Sequence, residues 1–176
     1  MTKTKIVILL AAAGLLSGQL FAADSKAASG QVDITFDKPE NFTDVKDSYM
    51  DSEKGRDSIL AEFKTYVEEY APKFLGPGMK LAVTFTDIDM AGDFEPWRGP
   101  SAQDVRIVKA IYIPRIKLTY RVTDAGGAVV KEGKSELTDL NFQSNINPMS
   151  NSDRLHYEKR LLNDWLRSEF RSLAKK

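Results

Sequence analysis

The sequence predicts an α+β fold: a two-layer sandwich with a mostly antiparallel four-stranded sheet and two helices on one face. Three observations support this prediction. Several short segments alternate apolar and polar residues, which is typical of half-buried strands. Two longer segments repeat their apolar residues with helical spacing. These segments follow one another in the order β-α-β-β-β-α, with a long hairpin before the last helix.

The N-terminus has the layout of a secretory signal peptide. Residues 1–5 carry two lysines and no acid, and an apolar run extends from Ile6 to Leu16. A spanning helix needs ~20 apolar residues, so this run predicts cleavage rather than a retained membrane anchor. We expect residues 1–22 to be the signal peptide, 23–30 a flexible leader, and 31–176 a single α+β domain. No stable membrane span should remain after the signal is removed.

Composition excludes several classes of function. None of the 176 residues is a cysteine, which removes disulfides, thiolate metal sites and cysteine nucleophiles. The formal net charge is zero, so nothing favours nucleic acid or an anionic membrane surface as a partner. An ordinary hydrophobic core must therefore hold the domain together.

The first half of the domain predicts two strands, a loop and a helix. In chain order they are a strand at Gln31–Phe36, a loop at Pro39–Asp51, a helix from Ser52 to Tyr70 or Ala71, and a strand at Lys80–Thr86. The helix carries its apolar stripe between Ile59 and Tyr70, and Pro72 ends it. Gly76-Pro77-Gly78 then separates it from the second strand. Phe42 and Val45 are expected to anchor the loop on the core.

The third extended segment, Val105 to Thr123, changes its apolar parity at Pro114. Apolar residues hold odd positions before this proline and even positions after it. A strand cannot change face without an inserted residue, and proline cannot donate a ladder hydrogen bond. The sequence therefore predicts a bulge or a break at Pro114.

A hairpin is predicted at Asp124-Ala125-Gly126-Gly127. With Gly126-Gly127 as a two-residue loop, the cross-strand pairs are Arg121–Glu132, Lys117–Glu136, Ile116–Leu137 and Tyr120–Gly133. A shift by one residue would instead set Lys117 against Lys134. Opposite charges favour the first register by roughly 0.2–1 kcal/mol per pair. The outward face of this hairpin is strongly charged, which favours a monomer or a transient contact.

The C-terminal segment predicts a loop and an amphipathic helix. Asn141–Asn151 is rich in Asn and Ser, and the helix is expected to begin near Ser152 or Asp153. Its apolar face consists of Leu155, Leu161, Leu162, Trp165, Leu166, Phe170 and Leu173.

Six stretches resemble one protein family. They are QVDITF at 31–36, FTDV at 42–45, TDIDMAG at 86–92, IYIPRIKLTY at 111–120, LTDLNF at 137–142 and YEKRLLNDWLRSEF at 157–170. Together they cover nearly the whole mature chain and resemble the bacterial secreted proteins grouped as domain of unknown function 3016. The resemblance implies an envelope protein of a Gram-negative cell, and hence a periplasmic location. It implies no catalytic residue.

The strand exit from Asp87 to Arg98 is the candidate site. Its four acids and one glycine have part of the residue spacing of a calcium-binding loop. The acids are Asp87, Asp89, Asp93 and Glu95, and the glycine is Gly92. Ala91 and Arg98 occupy two positions where calcium would need ligands, so we predict no metal and no other cofactor. We expect Asp87 and Asp89 to follow the core-facing residues inward and to accept hydrogen bonds from loop amides.

The same loop also carries two aromatic residues. Pro96, Gly99 and Pro100 stiffen the backbone around Phe94 and Trp97, and a rigid aromatic loop suits partner binding. We expect the ring of Phe94 to pack against the edge of the sheet. For Trp97, packing against the sheet and exposure to solvent remain equal alternatives. Arg98, Arg106 and Arg115 either line a basic surface or, as we expect, form ion pairs with Asp87, Asp93 or Asp104.

These features support two hypotheses from different classes. The favoured one is a non-catalytic envelope module, binding or accessory, that contacts a protein partner or a small ligand. Its binding residues would be Asp87, Asp89, Asp93, Glu95, Trp97 and Arg98. The alternative is a carboxylate-based or metal-dependent hydrolase that uses the acidic loop Asp87–Glu95. It requires at least two of the carboxyls to meet in a pocket that separates their pKa values.

Overall fold

The computed structural model of this protein describes residues 30–144 and 153–174. The predicted signal peptide, the leader up to residue 29 and residues 145–152 lie outside these ranges. Among the described residues, no helix combines the length and the apolar character needed to cross a membrane.

The structure confirms the predicted α+β class. Its elements are β1 (Val32–Phe36), α1 (Glu53–Tyr70), β2 (Lys80–Asp89), β3 (Asp93–Phe94), β4 (Arg106–Ile107), β5 (Arg115–Thr123), β6 (Val129–Thr138) and α2 (His156–Phe170). The main sheet has the strand order β1-β2-β5-β6, in which β1 is parallel to β2 and the other neighbours are antiparallel. The strands β3 and β4 form a second, two-stranded sheet that the sequence did not predict.

Both helices cover the same face of the main sheet, since one apolar cluster contains their buried side chains and those of the strands. Phe63 of α1 packs against Phe85 of β2, with ring centroids 6.1 Å apart. Phe170 of α2 packs against Tyr120 of β5 at 5.3 Å. The opposite face of the sheet carries the polar residues of the alternating strands.

The two ends of α1 follow the sequence signals. The hydroxyl of Ser52 caps the helix by accepting a hydrogen bond from the Gly55 N–H at 3.0 Å. A cap of this kind contributes about 1 kcal/mol. The helix ends at Tyr70, and Pro72 lies in the single 3-10 turn that follows. The predicted bounds are therefore confirmed.

A β-bulge at Thr86 changes which side chains of β2 reach the core. Phe85 pairs with Leu118, whereas Asp87 pairs with the adjacent Lys117, so Thr86 is an extra residue. Beyond the bulge Ile88 is fully buried. Asp87 and Asp89 consequently lie on the outer face, and the prediction that they follow the core residues inward was wrong. One inserted residue reverses the parity of every side chain after it.

The predicted break at Pro114 is confirmed. Less of the segment before this proline forms a strand than the sequence predicted. Only Arg106–Ile107 of the preceding segment forms a strand, and it pairs with β3 rather than with the main sheet. The strand β5 begins at Arg115, directly after the proline. The segment between β4 and β5 therefore belongs to a loop at one end of the sheet.

The hairpin register is confirmed, but its loop is longer than predicted. All four predicted pairs are present: Arg121–Glu132, Lys117–Glu136, Ile116–Leu137 and Tyr120–Gly133. The Asp124 N–H donates to the carbonyl of Ala128 at 2.9 Å, which closes a three-residue loop. Gly127 supplies the positive φ of 85° that this turn requires. The register is restored by a bulge at Val130, because Val122 pairs with Lys131 while Thr123 pairs with Val129.

The helix α2 begins at His156, later than the predicted start near Ser152 or Asp153. Ser152 lies outside the described residues, and Asp153 accepts the Leu155 N–H at 2.9 Å just before the helix. The predicted apolar face is confirmed, with Leu162, Trp165, Leu166 and Phe170 buried. The indole N–H of Trp165 donates to the hydroxyl of Ser135 at 3.1 Å, which ties α2 to β6.

Candidate functional site

Asp87 connects the end of β2 to the loop after β1. Its carboxylate accepts the N–H of Thr43 at 2.9 Å and the ammonium group of Lys117 at 3.0 Å. Partial burial raises the pKa of Asp87, but these hydrogen bonds outweigh it and hold the pKa below its ordinary value. The predicted hydrogen bond to a loop amide is confirmed. Its partner lies in a distant loop, so the contact is tertiary rather than a local turn.

Asp89 lines a small polar cavity of about 230 Å³. The carboxylates of Asp44 and Asp93 share its walls with Lys46 and Arg115. The guanidinium of Arg115 lies 3.5 Å from the Asp89 carboxylate. Burial raises the pKa of Asp89, and the negative charge of Asp44 raises it further. The structure thus brings two of the four predicted carboxylates, Asp89 and Asp93, around one cavity.

Asp93 is the more exposed of these two. One of its oxygens accepts the N–H of Phe94 at 2.7 Å, and the ammonium group of Lys46 lies 3.9 Å away. The ring of Phe94 is 4 % exposed, which confirms that it tucks against the protein. Asp93 therefore organises the backbone at β3 while its charge faces the cavity.

Arg106 holds the loops around the cavity together. Its guanidinium donates to both carboxylate oxygens of Asp44, at 2.7 and 3.1 Å. It also donates to the carbonyls of Gly92 and Lys46, at 2.9 and 3.0 Å. Its carbon Cζ lies 4.7 Å from the centroid of the Phe94 ring. Arg106 forms an ion pair as expected, but with Asp44, a residue that the sequence analysis did not single out.

Glu95 is a clamp for the loop between β3 and β5. Its carboxylate accepts hydrogen bonds from Arg98, Lys109 and Tyr112, and its side chain is only 1 % exposed. The covering groups are side chains of the loop rather than the apolar core. Lys109 and Arg98 lower the pKa of Glu95 to about 2. Glu95 is therefore a permanent anion at neutral pH and a poor donor or acceptor of protons.

Trp97 projects from this clamped loop, residues 95–113. It lies in a 3-10 turn, Pro96–Arg98, and 72 % of the residue is exposed. The question that the sequence left open is thus settled in favour of exposure. Other large apolar residues are exposed on or beside the clamped loop, and with Trp97 they form what we term the loop surface: Tyr49, Met50, Val105, Val108 and Ile111. The Tyr49 N–H donates to Asp104 at 3.1 Å, which joins the two segments.

Glu158 is a buried carboxylic acid that the sequence analysis did not single out. It lies in the first turn of α2, is 1 % exposed, and accepts the N–H of Ala91 at 2.7 Å. Its second carboxylate oxygen has no partner among the described residues. Burial raises the pKa of Glu158 to about 7. The available signal was its position, three residues after Leu155 and four before Leu162, which places an acid on an apolar stripe.

The acidic residues of the strand exit do not converge on a single point. Asp87 and Glu95 are held by Lys117 and by Arg98 and Lys109, outside the cavity that Asp89 and Asp93 share. Within residues 30–144 and 153–174, no group of three His, Asp or Glu side chains could hold a metal ion. The arrangement supplies fixed charges, one perturbed carboxyl at the cavity and an exposed aromatic ring.

Comparison with known proteins places the chain in a family without an assigned activity. No curated protein and no solved structure matches it. The family described as protein of unknown function (DUF3016) matches residues 30–168. This span contains every strand and helix described above except the last residues of α2. The match extends over most of the chain and over the motifs of the strand exit, so the protein belongs to the DUF3016 family.

Proposed function

We propose that this protein is a non-catalytic binding or accessory module of the bacterial envelope, and that it contacts another protein through the loop surface. The observation that supports this proposal most directly is the 72 % exposure of Trp97 on a loop that Glu95 clamps. Exposed loops are ordinarily mobile, and ordering them costs binding free energy. A loop that is already fixed avoids most of that cost.

The residue types at the loop surface suit protein recognition. Trp, Tyr and Arg dominate the binding energy of protein interfaces. Trp97 is followed by Arg98, whose side chain is 47 % exposed while its guanidinium is held by Glu95. Ile111, also 72 % exposed, adds apolar area on the same loop. The ligand class that fits is a protein surface with an apolar pocket for the indole ring and a carboxylate for the arginine.

The proposed location is the periplasm. The support is the N-terminal sequence, in which a short apolar run follows two lysines. N-terminal sequencing of the protein from a periplasmic extract should give a first residue at or next to position 23. A protein that stays in the membrane fraction with its N-terminus intact would refute both the cleavage and the location.

Site-specific photo-crosslinking in intact cells tests the binding proposal. A photoreactive phenylalanine analogue replaces Trp97 or Ile111, and matched controls carry it at Thr84 on the sheet's outer face and at Glu40. We expect the same discrete adduct from positions 97 and 111 and none from the controls. The adduct from position 111 should disappear in Trp97→Ala. Equal adducts at all four positions, or none at 97 and 111, would refute the loop surface as the interface.

The polar cavity gives the hydrolase alternative one specific support. Asp89 and Asp93 line the cavity with Asp44, and the pKa of Asp89 is raised, as general acid catalysis requires. A panel of chromogenic esters, phosphates and glycosides tests this alternative against Asp89→Asn and Asp93→Asn. Asp87→Asn, which changes a carboxylate outside the cavity, is the control. Hydrolysis that both cavity variants abolish and the control retains would favour an enzyme over a binding module.

A further inference from the structure

The strand β6 is a long edge strand. It has ten residues, and among the described residues it pairs on one side only, with β5. The backbone groups on its other side can hydrogen bond to a further strand. Proteins usually shorten, cover or distort such an edge, because it is a template for pairing with another chain. An edge of this length therefore calls for a partner or for protection.

The helix α2 lies beside β6 on one face of the sheet. A groove of about 620 Å³ lies between α2 and the second half of β6, with Leu137, Leu161 and Trp165 among its lining residues. The hydrogen bond from Trp165 to Ser135 fixes the position of α2 relative to β6.

We propose that a second copy of this chain occupies the edge, with the two β6 strands antiparallel about a two-fold axis at Ser135. Lys134 and Glu136 are both exposed on the outer face of β6. An axis at Ser135 sets Lys134 of each copy opposite Glu136 of the other, so two favourable pairs form. On the helix face it sets the small Gly133 opposite the larger Leu137.

Other registers are less complementary. An axis at Lys134 sets Lys134 of one copy opposite Lys134 of the other. An axis at Glu136 likewise sets the two Glu136 residues opposite each other. Both arrangements place like charges together. An axis at Gly133 also gives two favourable pairs, between Lys134 and Glu132, but it places Val130 opposite Glu136. The axis at Ser135 instead brings Val130 of one copy toward Leu140 of the other, and these residues are 45 % and 68 % exposed. Charge pairing thus allows the axes at Gly133 and Ser135, and apolar exposure selects the axis at Ser135.

The charged outer face of the hairpin does not oppose this dimer, because the contact uses the strand edge rather than that face. Pairing would produce one continuous eight-stranded sheet with all four helices on one side. Since the two β6 strands are antiparallel, the two loop surfaces would lie at opposite ends of the dimer. A dimer of this form could present two equivalent loop surfaces to its partners.

Sedimentation velocity of the mature protein over a range of concentrations tests the dimer. We expect the wild type to reach the mass of a dimer at high micromolar concentration. Lys134→Glu and Glu136→Lys should each give monomers, because each sets like charges opposite across the axis. The double variant restores opposite charges and should restore the dimer. A wild type that stays monomeric, or single variants that dimerise as well as the wild type, would overturn the proposal.

Glu132→Lys is the matched control. Within the chain Glu132 faces Arg121 as Glu136 faces Lys117. Glu132 also forms a direct ion pair with Arg121 at 2.9 Å, so its reversal disturbs the hairpin at least as much as that of Glu136. Across the proposed axis, however, Glu132 faces the uncharged Thr138, and Glu132→Lys should remain dimeric. Its dissociation would overturn the Ser135 axis. Circular dichroism of each variant establishes that loss of the dimer is not loss of folding.

Single cysteines test the register directly, because the chain has none of its own. Ser135→Cys places the two thiols opposite each other, so mild oxidation should convert it to a disulfide-linked dimer on a non-reducing gel. Lys134→Cys and Glu136→Cys should form far less of this product. Equal linking of all three variants, or none with Ser135→Cys, would refute the axis.

Discussion

The carboxylate of Glu158 accepts the backbone N–H of Ala91 at 2.7 Å, which joins the first turn of α2 to the loop after β2. Its other oxygen is buried without a partner among the described residues. An anion in this position has lost its hydration and regained one hydrogen bond. Burial therefore favours the neutral acid and raises the pKa of Glu158 to about 7.

Stability should fall with rising pH because of Glu158. In the folded protein the pKa of Glu158 is raised from the ordinary 4.5 to about 7. The stability that the neutral acid contributes is therefore complete below pH 4.5, and it is lost as the pH rises through about 7. We expect this loss to approach about 3 kcal/mol. Glu158→Gln keeps the acceptor for Ala91 and should remove this pH dependence. Urea unfolding of both proteins between pH 5 and 8 measures it, and parallel profiles would show that Glu158 ionises freely when folded.

Asp87 and Asp89 should respond in opposite directions to the same substitution. The pKa of Asp87 lies below its ordinary value, so its charged form is stabilising above that value, and Asp87→Asn should cost ~0.5 kcal/mol at pH 7. Asp87→Ala also removes the acceptor of the Thr43 N–H and should cost about 1 kcal/mol.

The pKa of Asp89 is raised, so its charged form opposes folding at pH 7. Asp89→Asn should consequently stabilise the protein by ~0.5 kcal/mol. The loss of the exposed ion pair with Arg115 would reduce this gain. Chemical unfolding at pH 7 measures all three variants. If both Asn variants lowered stability alike, the two carboxylates would not occupy the different environments described here.

Local pattern was sufficient to predict most of the fold. The alternation of the strands, the stop at Pro72 and the charge pairs of the hairpin are short-range signals, and the structure confirms what they predict. The bulge at Thr86 left no such signal, and it moved Asp87 and Asp89 to the outer face. Arg106 and Asp44 meet across 62 residues of chain, a contact that no periodicity reveals. The sequence thus named the residues of the candidate site, while tertiary contacts set their geometry.

The clamp at Glu95 should determine the order of the loop that carries Trp97. Glu95→Gln removes the charge that Lys109 and Arg98 bind, so we expect faster amide exchange within residues 95–113 and little change in the main sheet. Hydrogen exchange measured by mass spectrometry tests this expectation. In the folded protein the pKa of Glu95 is lowered from the ordinary 4.5 to about 2. The stability that its charged form contributes is therefore fully present above pH 4.5, and it is lost only as the pH falls through about 2. The wild-type loop should therefore keep its protection at pH 4, and early release there would contradict the clamp.

Calcium should not stabilise this protein. Each carboxylate of the strand exit already has a cationic partner: Lys117 for Asp87, Arg115 for Asp89, Lys46 for Asp93, and Arg98 and Lys109 for Glu95. Calcium binds six to eight oxygens, and it would have to displace several of these partners to gather enough ligands. We expect equal melting temperatures in calcium and in chelator for the wild type and for Asp93→Asn. Asp93 is the test position because it is the most exposed acid at the cavity, so its replacement perturbs the fold least. A rise of several degrees with calcium that Asp93→Asn abolishes would establish a metal site and would favour the hydrolase over the binding module.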